Sequence, residues 1–153
     1  MKVKYYDLEN KRVFITGGGS GIGASIVEHF CEQGSDVYFI DINVSESKKL
    51  IEDIKNKKYS IPTFIECDLL NIKQLQKTIK DIIDQKGPIN ILINNAANDT
   101  RHKIDDVTEE YWNERMNVNL RHFFFTVQSV KKSMIENGGG SIVNMGSTSW
   151  MIG

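Results

Sequence analysis

The residues best suited to chemistry in this chain stand just after short apolar runs. Thr16-Gly17-Gly18-Gly19-Ser20-Gly21-Ile22-Gly23 follows Val13-Phe14-Ile15, and Asp41 follows Val37 to Ile40. Asp68 comes after Thr63 to Ile65, Asn94-Asn95-Ala96-Ala97 after Ile89 to Ile93, and Ser147 after Ser141 to Met145. Ile22, Ile26 and Phe30 recur every fourth residue beyond the glycines, so the first cluster sits where a buried strand turns into a helix. Glycine there permits positive φ and lets the backbone approach a pyrophosphate, while the N–H groups of the helix start face the anion. The same glycines would serve an ordinary tight turn; the flanking strand and helix favour a dinucleotide.

Asp41 lies about 18 residues past Gly23, the spacing at which a carboxylate meets the adenosine ribose. It would accept hydrogen bonds from a 2′-hydroxyl and repel a 2′-phosphate, which favours NAD over NADP. Alternatively Asp41 is a solvated turn residue, and Asp68 read alone serves equally as an Asx turn ahead of Asn71. Asn98, Asp99, Arg101 and His102 follow the fourth apolar run, where polar side chains could bond a small hydroxylated ligand; His102 could also be an exposed loop histidine. His29, His102 and His122 show no metal-ligand spacing, and no metal is expected.

Alternating strands and helices must hold these groups in place. Strands are expected over Lys11–Thr16, Val37–Ile40, from Thr63 to Ile65, Ile89–Ile93 and Ser141–Met145. Helices are expected from Gly21 to about Gln33, Ser45 to about Lys57, Asn71 to Lys86, and from an N-cap at Thr108 without interruption to about Glu136. Such alternation gives a parallel sheet covered on both faces. Met116, Leu120, Phe123, Val127, Val130 and Met134, widened by Phe124 and Phe125, form an apolar seam broader than one sheet face can cover.

Composition sets outer bounds. At 153 residues, 40% hydrophobic and 25% charged, the chain fits one globular domain, residues 1–153. A net charge of −1 without like-charge blocks argues against nucleic acid and against an anionic membrane surface. The N-terminus has no apolar signal core and no run approaches membrane-spanning length, so a cytoplasmic location is expected. Cys31 and Cys67 lack CxxC spacing and are read as small buried side chains.

Taken together, Thr16 to Gly23, Asp41, Asp68, Asn94-Asn95-Ala96-Ala97, Asn119 and Ser147 resemble the short-chain dehydrogenase/reductase family across essentially the whole chain. Asn94 to His102, Val118-Asn119-Leu120-Arg121-His122 and Gly146-Ser147-Thr148-Ser149-Trp150 are further similar to bacterial sugar 1-dehydrogenases of the xylose type. The resemblance implies an α/β Rossmann-type doubly wound sheet, order 3-2-1-4-5, ending after the fifth strand. It implies NAD held by Thr16, Gly17, Gly19, Ser20, Gly21, Ile22 and Gly23, with Asp68 and Leu69 at the adenine and Asn95, Ala96 and Ala97 beside a ribose. Ala97 stands where the family usually has glycine.

By the same resemblance Ser147 binds the reacting oxygen and the carbonyl of Asn119 holds a proton-relay water. Asn119, followed by Leu120, fits the family's Asn-Leu pattern better than Asn117 does. Asn98, Arg101, His102 and Ser147 become the expected substrate contacts. The family's base is the tyrosine of a Tyr-x-x-x-Lys helix beginning about a dozen residues past the serine. That pair is absent from these 153 residues, and Tyr111 has no lysine four positions on. The expectation is therefore an N-terminal part, inactive alone, of an enzyme oxidising an aldose to its lactone as a homodimer or homotetramer. Reduction of a 3-oxoacyl or other carbonyl substrate, and a non-catalytic dinucleotide-binding module, are the alternatives.

Overall fold

Two buried faces explain the strand sequences. On β1 (Arg12–Thr16), Val13 and Ile15 point to one side of the sheet and Phe14 to the other; on β2 (Asp36–Asp41), Val37 and Phe39 oppose Tyr38 and Ile40. Successive strand side chains alternate between faces, and an apolar residue at every position means that both are covered. The structure, a computed structural model, describes residues 3–147; the Thr148-Ser149-Trp150 end of the last motif lies outside them.

The five strands are parallel in the order β3-β2-β1-β4-β5, as the resemblance implied, with β3 at Thr63–Glu66, β4 at Ile91–Asn94 and β5 at Ser141–Asn144. Helices α1 (Gly21–Glu32) and α2 (Val44–Asn56) cover one face, packing Val27, Cys31, Leu50 and Ile54 on Val13, Ile15, Val37 and Phe39. On the other face α3 (Ile72–Lys86) and α5 (His122–Glu136) bring Leu75, Ile79, Ile82, Val130 and Met134 to Phe14, Ile40 and Leu92. Each such side chain, fully buried, stabilises the fold by about 1.5–3 kcal/mol. Both cysteines are free and buried, as expected.

Four local expectations change. The ladder of β4 starts at Ile91, two residues late, because the Asn90 side-chain oxygen accepts the Arg12 N–H at 2.8 Å in place of a backbone carbonyl. Helix α1 buries Gly23, Val27 and Cys31, leaving Ile22 68% exposed. Its inner face is set by Gly23, the only residue type that lets the helix start lie against Gly17. The expected long helix is interrupted: α4 (Glu109–Met116) passes through a π turn, Asn117–Arg121, before α5. Consequently Met116 and Leu120 are exposed, and the stripe against the sheet is His122, Thr126, Val130 and Met134. Phe124 is exposed, and Ile142 and Val143 of β5 are 41% and 44% exposed. No described helix is long and apolar enough to cross a membrane.

Candidate active site

Parallel pairing brings the strand ends to one rim. Thr16 lies level with Ile40 and Asn94, Asp41 with Glu66, and Asn94 with Asn144, so every segment singled out by sequence leaves the sheet on the same side. The order of the strands reverses across β1, which opens a crevice between the segments after β1 and β4. In open α/β sheets that crevice is where ligands bind.

Steric limits fix the glycine loop. A Cβ on Gly17, whose φ is +66°, would lie 2.7 Å from Ala96 Cα; one on Gly18 would lie 2.7 Å from Phe39, and one on Gly23 1.8 Å from the Gly17 carbonyl oxygen. Gly21 is different. Its φ is +55°, yet a Cβ there would meet nothing within 4 Å, so it faces the open side of the loop. Behind it the first N–H groups of α1 have no intrahelical acceptor. Ser20, at the N-cap, makes no side-chain bond to them, whereas Asn43, Asn71 and Thr108 do cap α2, α3 and α4. A side-chain-free approach backed by uncapped amides suits a pyrophosphate. The chain's residues therefore fit a dinucleotide.

Asp41 closes the other side of the loop. Its carboxylate accepts the Gly19 N–H at 2.8 Å through one oxygen and the Asn43 N–H at 2.9 Å through the other. The side chain is half-buried and oriented from two directions. Asp68 is exposed and accepts the Leu70 N–H at 2.9 Å, so the Asx turn is formed, and Leu69 faces the core beside Leu75.

The amides after β4 are tied to the glycine loop. Asn95 donates from its side chain to the carbonyls of Thr16 (3.2 Å) and Gly17 (3.0 Å). The Thr16 hydroxyl accepts the N–H groups of Asn95 (3.0 Å) and Ala96 (3.1 Å). Thr16 is fully buried, so its side chain supports the loop from behind and presents no surface to a ligand. Asn94, also buried, donates to Asn144 at 2.8 Å and accepts the Thr126 hydroxyl at 2.8 Å, which binds β4 to β5 and α5.

The π turn brings Asn119 to Asn98. The Asn119 amide oxygen accepts the Asn98 N–H at 2.7 Å and its NH₂ donates to the Asn98 carbonyl at 3.0 Å, a two-point clamp on the backbone leaving β4. That oxygen has a second lone pair for a water. Asn98 in turn caps Thr100, accepting its N–H at 3.1 Å and its hydroxyl at 2.7 Å. Arg101 and His102 are exposed; His102 Nδ1 meets the Tyr111 hydroxyl at 2.8 Å, and Arg115 lies over the Tyr111 ring at 4.7 Å. Ser147 is exposed just past β5. No cluster of potential metal ligands occurs among the described residues.

The profile of short chain dehydrogenases matches residues 11–152. The chain belongs to the short-chain dehydrogenase family. A D-xylose 1-dehydrogenase of Caulobacter vibrioides (strain NA1000 / CB15N) is 45% identical over 97% of this chain and 58% of its own length. A probable galactose dehydrogenase of Rhizobium meliloti (strain 1021) is 42% identical over the same shares. Among solved structures, a 7α-hydroxysteroid dehydrogenase in complex with NADH and a 7-oxo bile acid superimposes with a TM-score of 0.85 at 28% identity, covering 94% of this chain and 56% of that one. The chain thus spans somewhat over half the length of these relatives.

Sequence reasoning missed His122. It lies fully buried at the end of the π turn, its Nδ1 2.8 Å from the Val118 carbonyl and its Nε2 3.3 Å from the Thr16 hydroxyl. Burial lowers its pKa from 6.5 to about 4, opposed only by the bond to Val118, so the ring is neutral at physiological pH. His122 closes the Val118–His122 stretch of the resemblance, but a histidine inside an apolar helical seam has no spacing signal of its own that gives it a role.

Proposed function

We propose that this chain is the cofactor-holding part of an NAD-dependent dehydrogenase that oxidises an aldose at its anomeric hydroxyl to a lactone. The observation that carries the reading is the Asp41 carboxylate fixed against Gly19, a charged acceptor ready for ribose hydroxyls beside a loop open at Gly21. The identities of 45% and 42% to xylose and galactose dehydrogenases support a sugar as substrate. When bound, the nicotinamide supplies the two-electron acceptor for the carbinol hydrogen.

The chain's own residues then bind, orient and relay. The first amides of α1 hold the pyrophosphate, Asp41 holds the adenosine ribose, and Asn95 and Ala96 line the crevice toward the second ribose. Ser147 donates to or accepts from the sugar oxygen that loses its proton. Asn98, Arg101 and His102 bond the remaining hydroxyls, and Asn119 keeps Asn98 in position while offering its free lone pair to a water. The general base lies outside these 153 residues, on a Tyr-x-x-x-Lys segment. Association into a homodimer or tetramer covers Phe124 and its neighbours, and the protein works in the cytoplasm.

The test is reduction of NAD followed by absorbance in the polypeptide of the relatives' length, with xylose, galactose, glucose and glycerol offered in turn. Turnover with an aldose and lactone as product is the expected result; activity confined to oxoacyl or steroid carbonyls would overturn the sugar reading. Residues 1–153 alone should bind NAD and fail to turn over, because positioned general-base catalysis is worth about 10²–10⁴-fold.

A further inference from the structure

The buried histidine sits between two parts of the site, the strand end at Thr16 and the π turn at Asn117–Arg121. A carbonyl can only accept, so the contact with Val118 fixes the proton on His122 Nδ1 and leaves Nε2 as an acceptor. The Thr16 hydroxyl already accepts two N–H groups, those of Asn95 and Ala96, and has one proton to give; it gives it to Nε2. Every donor and acceptor in this chain of bonds is satisfied in one arrangement only. One end is the residue before Gly17, and the other is the π turn from which Asn119 clamps Asn98.

We propose that His122 is a positioning residue: its two ring nitrogens set the π turn carrying Asn119 against the strand end that launches the glycine loop, and so hold the substrate side of the crevice in register with the cofactor side. A π turn closes its hydrogen bonds over i to i+5, one residue further than the helix around it, and competes with a regular helix. At this turn the Val118 carbonyl bonds the His122 ring, and the same ring reaches across to β1. Without it, nothing else described on α5 bonds to Thr16. The inference rests on the dehydrogenase reading for its kinetic consequences, though not for its structural ones.

Three substitutions separate the two bonds. His122→Phe removes both while keeping a planar ring, at the cost of a larger side chain, His122→Asn keeps a donor near the Nδ1 position, and His122→Gln keeps an acceptor near Nε2. Val130→Ala, about two turns further along the same buried stripe, is the control for loss of stability alone. In the full-length protein kcat should fall about 10–100-fold in His122→Phe, as expected for misplacement of about 1 Å, with smaller losses in the Asn and Gln variants. Val130→Ala should lower the melting temperature at least as far and leave kcat unchanged.

The second arm needs no turnover. Amide exchange at Asn95 and Ala96 and across residues 117–122 should accelerate in His122→Phe and not in Val130→Ala, and nitrogen shifts of the native ring should report Nδ1–H. If His122→Phe folds too poorly for kinetics, the Gln variant and the ring tautomer carry the test. An Nε2–H tautomer, or exchange and kcat that merely track melting temperature in all variants, would overturn the proposal. Absence of sugar oxidation in the native protein with the exchange pattern intact would instead overturn the substrate reading and leave the positioning role standing.

Discussion

Replacing Asp41 by alanine should invert the choice between NAD and NADP, and the structure gives the size of the effect. On the proposed reading the carboxylate accepts from the adenosine ribose, and hydrogen bonds to a charged acceptor contribute about 1.5–3 kcal/mol, so NAD affinity should fall roughly 10–100-fold. The same carboxylate repels a 2′-phosphate. At about 4 Å and with water-like screening that repulsion is about 1 kcal/mol per unit charge, hence ~2 kcal/mol for a dianion. Removing the side chain also frees the Gly19 and Asn43 N–H groups, now 2.8 and 2.9 Å from its oxygens, to point at an anion. The combined change in NAD-to-NADP preference is on the order of 10²–10³-fold. Calorimetric titration of both cofactors into native and Asp41→Ala protein measures it directly, with far-UV circular dichroism as a check on folding. An unchanged ratio would mean that the ribose lies elsewhere, and the assignment of this crevice would fail with it.

Gly21→Val and Gly23→Ala, two residues apart, should both lose cofactor affinity and differ in their effect on stability. The first puts its branches into the open side of the loop and strains only its own backbone, by about 1–2 kcal/mol, so NAD binding should vanish while the spectrum stays native. The second drives a Cβ against the Gly17 carbonyl and should cost about 1–3 kcal/mol in urea unfolding as well as affinity. Acid should also destabilise the protein through His122. Its folded pKa, about 4, lies below the unfolded value of 6.5, so the unfolded state binds the extra proton between those limits. The contribution is whole above pH 6.5 and disappears as pH falls toward 4, about 3 kcal/mol in total, and His122→Phe should flatten that part of the stability–pH curve. Finally, residues 1–153 should self-associate through Phe124, Ile142 and Val143, and Phe124→Glu together with Ile142→Lys should shift light-scattering mass toward the monomer; a monomeric native chain would refute this.

The strand–helix alternation and the glycine loop were legible because their signals are local. Val13 to Ile15 and the five glycines need no knowledge of distant residues, and the strand order followed from the family resemblance. What could not be read depends on partners far along the chain. Nothing around Asn90 announces that its side chain will stand in for a ladder carbonyl opposite Arg12, 78 residues away. The apolar seam Met116–Leu120–Phe123 assumed a constant helical period; the π turn inserts one residue's rotation, so positions before it turn outward and the polar His122 and Thr126 turn in. Thr16 and Leu69 sit at motif positions, yet whether a motif side chain faces the ligand or the interior is decided by the neighbouring strand and not by the motif.

The glycine loop makes its two flanking bonds across very different lengths of chain. Gly19 meets Asp41 across 22 residues, whereas Gly17 meets Asn95 across 78. Closing the longer loop costs about 1 kcal/mol more in chain entropy, and contacts of that span form late and slowly. As the polypeptide emerges or refolds, the Gly19–Asp41 half of the crevice therefore exists before the Gly17–Asn95 half. A ligand that needs both halves has nothing to grip until β4 has docked beside β1. It then stabilises only the finished sheet, in proportion to the logarithm of its concentration. The nucleotide should accordingly retard unfolding without hastening the early phase of folding, acting as a latch on the last strand to arrive.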